Sequence, residues 1–143
     1  MTSLKFPLKK PYTRVRGYWD HVRAGAGPWF GVDYACKVGS KVTTVRSGAV
    51  NKVGYGNTGA GNYIIIQHRD SKGKLVNLYS TYFHLSKIYV KAHQKVATGQ
   101  LIGLSGRSGW VTGPHLHLSM LKKVLWIFRP IDPENKKTFV WKY

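Results

Sequence analysis

Between residues 32 and 121 the apolar residues fall in runs of strand length, each closed by a turn signal, and none recurs at a helical period over a helical length. Val32–Cys36 is the first such run. Lys41–Val45 and Ala49–Val53 flank a Ser47-Gly48 turn and are predicted to form a hairpin. Asn62–His68 is the strongest, with three consecutive isoleucines of the β-branched type that packs well on a pleated surface. Leu75–Phe83 is predicted to pair back across the turn Asp70-Ser71-Lys72-Gly73, and Leu101–Ser105 and Leu116–Leu121 follow. The first thirty residues, punctuated by Pro7, Pro11, Gly17, Gly25, Gly27 and Pro28, read as short extended pieces and loops. Such a chain is expected to be all-β and mostly antiparallel. Its 143 residues carry no internal repeat and no linker, so one domain over 1–143 is expected, with 1–28 as its basic, loop-rich beginning.

Charge narrows the partner. Lys and Arg number 23 against 5 Asp and Glu, a formal net charge of +18. With 43% hydrophobic and 13% aromatic residues the chain can build a core, which excludes a disordered basic tail. The surplus calls for a polyanion: nucleic acid, an anionic membrane, or the acidic polymers of a bacterial wall. Lys and Arg are scattered rather than gathered in one arm, which argues against a specific nucleic-acid partner. The single cysteine, Cys36, excludes an internal disulfide and a multi-Cys zinc site, and is expected to be a small buried strand residue. The beginning of the chain lacks the apolar run of about 7–15 residues of a secretory signal. No stretch approaches the ~20 apolar residues of a spanning helix. The Gly-rich stretch 54–61 lacks the Lys-Ser/Thr of a phosphate loop and is expected to be a long connection.

Chemistry concentrates in few residues. In His115-Leu116-His117 a strand would turn both imidazoles to one face and Leu116 into the core. Side-by-side imidazoles repel when protonated and suit a metal or a proton transfer. Asp33 is one of five acids and lies in an apolar run, where a carboxylate is costly unless paired or metal-bound. His84 stands at a strand end in Tyr82-Phe83-His84-Leu85-Ser86. His68 and His93 are expected at strand ends or turns.

In order, Trp29-Phe-Gly-Val-Asp33, Tyr82-Phe-His84-Leu-Ser86 and Thr112-Gly-Pro-His115-Leu-His117 resemble the M23 zinc metallopeptidases, the lysostaphin- and LytM-like cell-wall endopeptidases. Further likeness runs through Gly39–Val42, Ser47–Val50, Gly61–His68, Val90–Val96 and Gly99–Gly103, so that it covers about Phe6 to Pro133. The resemblance implies an antiparallel β-groove with zinc at its floor and cleavage of peptide crosslinks in peptidoglycan. By position it makes Asp33 and His117 metal ligands, and His84 and His115 the catalytic pair that moves protons or stabilises an oxyanion. Trp29, Tyr82 and Asn62 are expected along the substrate groove.

One position departs from the pattern. The family's first ligand His stands four residues before the Asp, where this chain has Trp29, whose indole cannot bind zinc. His21, upstream, is the candidate replacement, and His115 a second. Without one, the chain is expected to be a metal-free domain that binds the wall or builds a phage tail. With one, it is a zinc endopeptidase working outside the cell, as a phage lysin or on a virion, among anionic wall polymers and possible tail-protein partners.

Overall fold

In the computed structural model, residues 2–25, 29–109 and 111–143 are described. The chain forms β1 (Thr2–Lys5), β2 (Thr13–Arg16), helix α1 (Tyr18–Ala24), β3 (Val32–Ala35), β4 (Lys41–Thr43), β5 (Gly48–Gly54) and β6 (Asn62–Arg69). It continues through β7 (Leu75–Ile88), β8 (Lys95–Val96), β9 (Leu101–Ser105), β10 (His115–Val124), β11 (Ile127–Ile131) and β12 (Phe139–Lys142). Ten strands form one sheet along the order β2-β3-β10-β7-β6-β5-β8, with β11 beside β10, and β9 joining β7 to β4. Every pairing in it is antiparallel; β1 and β12 pair parallel as a separate ribbon.

The period of two along each strand sorts the side chains. Leu116, Leu118 and Met120 of β10, Val32 and Tyr34 of β3, Tyr82 of β7 and Ile64 and Ile66 of β6 face the main core with Leu4, Phe6 and Phe139. Their alternates face the other side. There Ile65, Tyr79 and Leu121 pack with Trp29, Tyr63 and Phe128, and Asp33 and His117 lie on the same side. β10 therefore serves the core with one set of residues and a site with the next.

The strand runs in the middle of the chain appear as expected, and β6 and β7 pair across the 70–73 turn. The expected hairpin of 41–53 does not form. β4 pairs with β9, and β5 with β6 and β8, because Thr44 exchanges backbone bonds with Gly99 and Gln100 and carries the chain off between the two strands. The beginning is not all loop either. Gly17 donates its N–H to the Asp20 carboxylate at 2.8 Å, Gly25 closes α1 with φ +67, and the helix is only seven residues long. Two turns are too few for a readable hydrophobic period. Cys36 lies just past β3 and is half-buried against the core rather than buried within a strand.

His93 sits in a turn with φ +72, whereas His68 is inside β6 and fully buried. Its Nδ1 faces the Arg46 carbonyl at 3.1 Å and its Nε2 the Ser80 hydroxyl at 2.7 Å, which meets the Tyr82 hydroxyl at 2.9 Å. Burial, opposed by the Ser47 and Arg46 carbonyls, pushes the His68 pKa down to about 4. The unfolded chain, near 6.5, binds this proton first, so the stability it contributes is complete above about pH 6.5 and lost as pH falls through about 4. A His68→Gln variant should lack that loss: its stability gap to wild type, measured by urea unfolding, should narrow by on the order of 3 kcal/mol between about pH 7 and about pH 4.

Candidate metal centre

Strand register brings the first two groups together. His117 stands opposite Asp33 on β3 and opposite Phe83 on β7. Its Nδ1 is 2.7 Å from Asp33 Oδ1, and its ring stacks on Phe83 with centroids 5.2 Å apart. The third group comes from α1: His21 Nε2 lies 3.1 Å from Asp33 Oδ2. Ligand atoms of His21, Asp33 and His117 all fall within 4.8 Å of one another, and all three residues are buried. Four-coordinate zinc takes nitrogen and oxygen donors at about 2.0–2.2 Å, so a cluster this tight can close on one ion.

The rings are already oriented for it. His21 Nδ1 is 2.9 Å from the Gly17 carbonyl one helical turn back, and donating its proton there leaves Nε2 as a donor to a metal. His117 Nε2 is 2.7 Å from the Trp29 carbonyl and 2.8 Å from the Ser119 hydroxyl, which leaves Nδ1 for the metal. The donor set of two imidazoles and one carboxylate fits a catalytic zinc with an open fourth position.

The remaining imidazoles stand beside this cluster. His84 and His115 have ring centroids 4.8 Å apart, and His115 Nε2 is 3.5 Å from Asp33 Oδ1. Each is held by Nδ1: His84 on the Ser108 carbonyl at 2.8 Å, His115 on Gly113 at 2.9 Å. Simple alternation after Phe83 would send His84 to the core. Its φ of +66 breaks the pleat and turns it to the site, a sparsely populated conformation for a residue with a Cβ. The 54–61 stretch supports that turn. Ala60 accepts the His84 N–H at 2.8 Å, while Ser108 accepts the Asn62 N–H at 2.9 Å and donates to Leu85 at 2.7 Å. Gly61 and Gly109 pass so close to the facing loop that a Cβ on either would strike backbone.

Electrostatics separates the groups. Burial opposes ionisation of Asp33, but hydrogen bonds from His117 and His21 outweigh it and hold the carboxyl well below the usual carboxylate range. Burial also favours neutral His21, yet bonds to Asp33 and Gly17 leave its pKa raised. Burial, helped by the charges of His115 and His117, pushes His84 down to about 4, so it is neutral near pH 7.

A trough of about 1140 Å³ opens over the centre, lined among others by Val15, Arg16, Trp29, Phe83, Ala60 and Thr112. Trp29 thus faces the trough, and its carbonyl, not its indole, serves the centre by holding His117. Two expected groove residues do not line it. Tyr82 is fully buried because its parity on β7 points to the core, where its hydroxyl accepts the Val45 N–H at 3.0 Å. Asn62 is occupied with structure: its amide donates to Leu85 at 3.0 Å and accepts the Gly56 N–H at 3.1 Å. The sequence reading missed Phe83 and Arg16; parity with His117 could have found Phe83, but nothing in the sequence marks Arg16.

A twisted antiparallel sheet with a His-Asp-His cluster and two further imidazoles in an open trough defines a site of the metallohydrolase class. The chain belongs to peptidase family M23, whose profile it matches over residues 27–133. Peptidoglycan DD-endopeptidase ShyA of Vibrio cholerae is 47% identical over 95 residues, 66% of this chain and 20% of that protein. Lysostaphin of Staphylococcus simulans is 34% identical over 111 residues, covering 77% of this chain and 22% of the relative. The crystal structure of a mutant catalytic domain of the prophage-encoded M23 protein EnpA from Enterococcus faecalis superposes with a TM-score of 0.72 at 31% identity, covering 90% of this chain and 93% of that one. The chain thus spans about a fifth of the curated relatives ShyA and lysostaphin. His21 lies outside the matched residues 27–133.

Removing the Ser108 hydroxyl orphans the Asn62 N–H and loosens the support of His84. Ser108→Ala should lower stability by about 1–3 kcal/mol, read from chemical denaturation.

Proposed function

We propose that this chain is one domain that acts as a zinc endopeptidase on the peptide crosslinks of peptidoglycan, with zinc held by His21 Nε2, the Asp33 carboxylate and His117 Nδ1. The meeting of these three donors within 4.8 Å carries the reading. It also supports a metal-bearing site over a metal-free wall-binding or tail-building domain, because His21 supplies the ligand that Trp29 cannot. The names of ShyA, a peptidoglycan DD-endopeptidase, and of ALE-1, a glycyl-glycine endopeptidase 34% identical to this chain, support the substrate class.

Zinc, when bound, supplies a Lewis acid for the scissile carbonyl and brings the pKa of a water toward ~7. The chain supplies proton transfer. Neutral His84, fixed through Nδ1, is suited to take a proton from the attacking water at Nε2. Once charged, it stands 4.8 Å from the His115 ring, and either imidazole can pass the proton to the departing amine. Trp29 and Phe83 offer an apolar surface to the peptide, and Arg16 a cation for a stem-peptide carboxylate.

The +18 charge holds such a domain on anionic wall polymers in a salt-sensitive way. This supports a setting outside the cell. The likeness to a prophage-encoded M23 protein supports a phage setting, as a lysin or a virion-borne hydrolase with tail-protein partners.

Purified protein reconstituted with zinc should hold one equivalent by atomic absorption. His21→Ala should lose it, and His21→Ala with Trp29→His should recover part of it; full zinc affinity in His21→Ala alone would refute the assigned ligand set. His84→Ala should keep its zinc while wall clearing falls about 100-fold or more, whereas His117→Ala should lose both.

A further inference from the structure

The hairpin joining β10 to β11 ends in four consecutive exposed apolar residues: Val124 is 41% exposed, Leu125 79%, Trp126 87% and Ile127 58%. The turn does not require them. A two-residue hairpin turn with positive φ at its first residue favours Gly there, and here Leu125 takes φ +56, a conformation that costs a residue with a Cβ. A strained turn built from large apolar side chains, turned outward, points to a use for those side chains.

Cations flank the tip on both strands. Val124 pairs with Ile127, Lys123 with Phe128, and Lys122 with Arg129. By the strand period, Val124, Ile127, Lys122 and Arg129 share one face, with the charged row two residues behind the apolar row. At about 3.4 Å per residue that offset is about 7 Å. Amphipathic segments lie about 5–10 Å deep at the boundary between headgroups and acyl chains, with cations at the phosphates. Lys123 extends over the Phe128 ring, its Nζ 5.6 Å from the centroid, on the opposite face.

We propose that this hairpin anchors the protein to an anionic membrane surface, with Val124, Leu125, Trp126 and Ile127 at the acyl boundary and Lys122, Lys123 and Arg129 among lipid phosphates. Trp is suited to that depth because its ring is apolar and its N–H polar. The anchor is independent of the peptidase reading: the tip lies eight residues along β10 from His117, about 27 Å at strand spacing.

The test is co-sedimentation of the zinc-loaded protein with vesicles of phosphatidylglycerol and phosphatidylcholine in equal parts, against phosphatidylcholine alone, at physiological salt. Wild type should bind the anionic vesicles and its tryptophan emission should shift to the blue. Leu125→Gly with Trp126→Ser, which installs a favoured turn, should weaken binding by about tenfold or more while zinc content and melting temperature hold. Equal binding by this variant would assign the attraction to diffuse charge and overturn the proposal. So would failure of wild type to bind, or a wild-type dimer that the variant converts to monomer without any vesicle binding.

Discussion

One cross-strand pair organises the molecule: Asp33 on β3 facing His117 on β10 at 2.7 Å. A carboxylate this buried survives only among donors, and every other element of the site answers that requirement. α1 brings His21 to one oxygen, β10 brings His117 and His115 to the other, and the chain just before β3 returns a carbonyl to fix His117. The core on the opposite face keeps the register, since a slip of one residue would exchange Leu116 for His117 and bury the site.

The strands of the central sheet were legible because β-branched runs and turn residues agree with the period of two. Leu116 in the core and Asp33 with His117 opposite follow directly from it. The same rule puts Tyr82 in the core and not, as expected, along the groove. His84 itself escapes the rule, because one positive φ moves it across the sheet, and that φ depends on Ala60 and Ser108, remote in sequence. α1 was illegible for lack of length, and the failed 41–53 hairpin for lack of any local sign that Thr44 would pair with 99–100.

In the proposed ligand set His21 stands in for the histidine that Trp29 replaces. A ligand need not come from a particular strand position, only from a nitrogen at the right distance with its other ring atom held. Position 29 keeps a contribution through its carbonyl, which any residue but a displaced one would offer. Its side chain is then released to become apolar surface in the trough.

The location of His21 has a practical side for anyone defining the limits of this domain. It precedes the part of the chain that shares the family's pattern, on a seven-residue helix that the sheet does not need for its own hydrogen bonding. A boundary drawn by family likeness would keep β3 to β11 but discard His21, together with Leu4, Phe6 and Phe139 of the core. Family likeness thus marks neither the whole core nor all of the proposed donors.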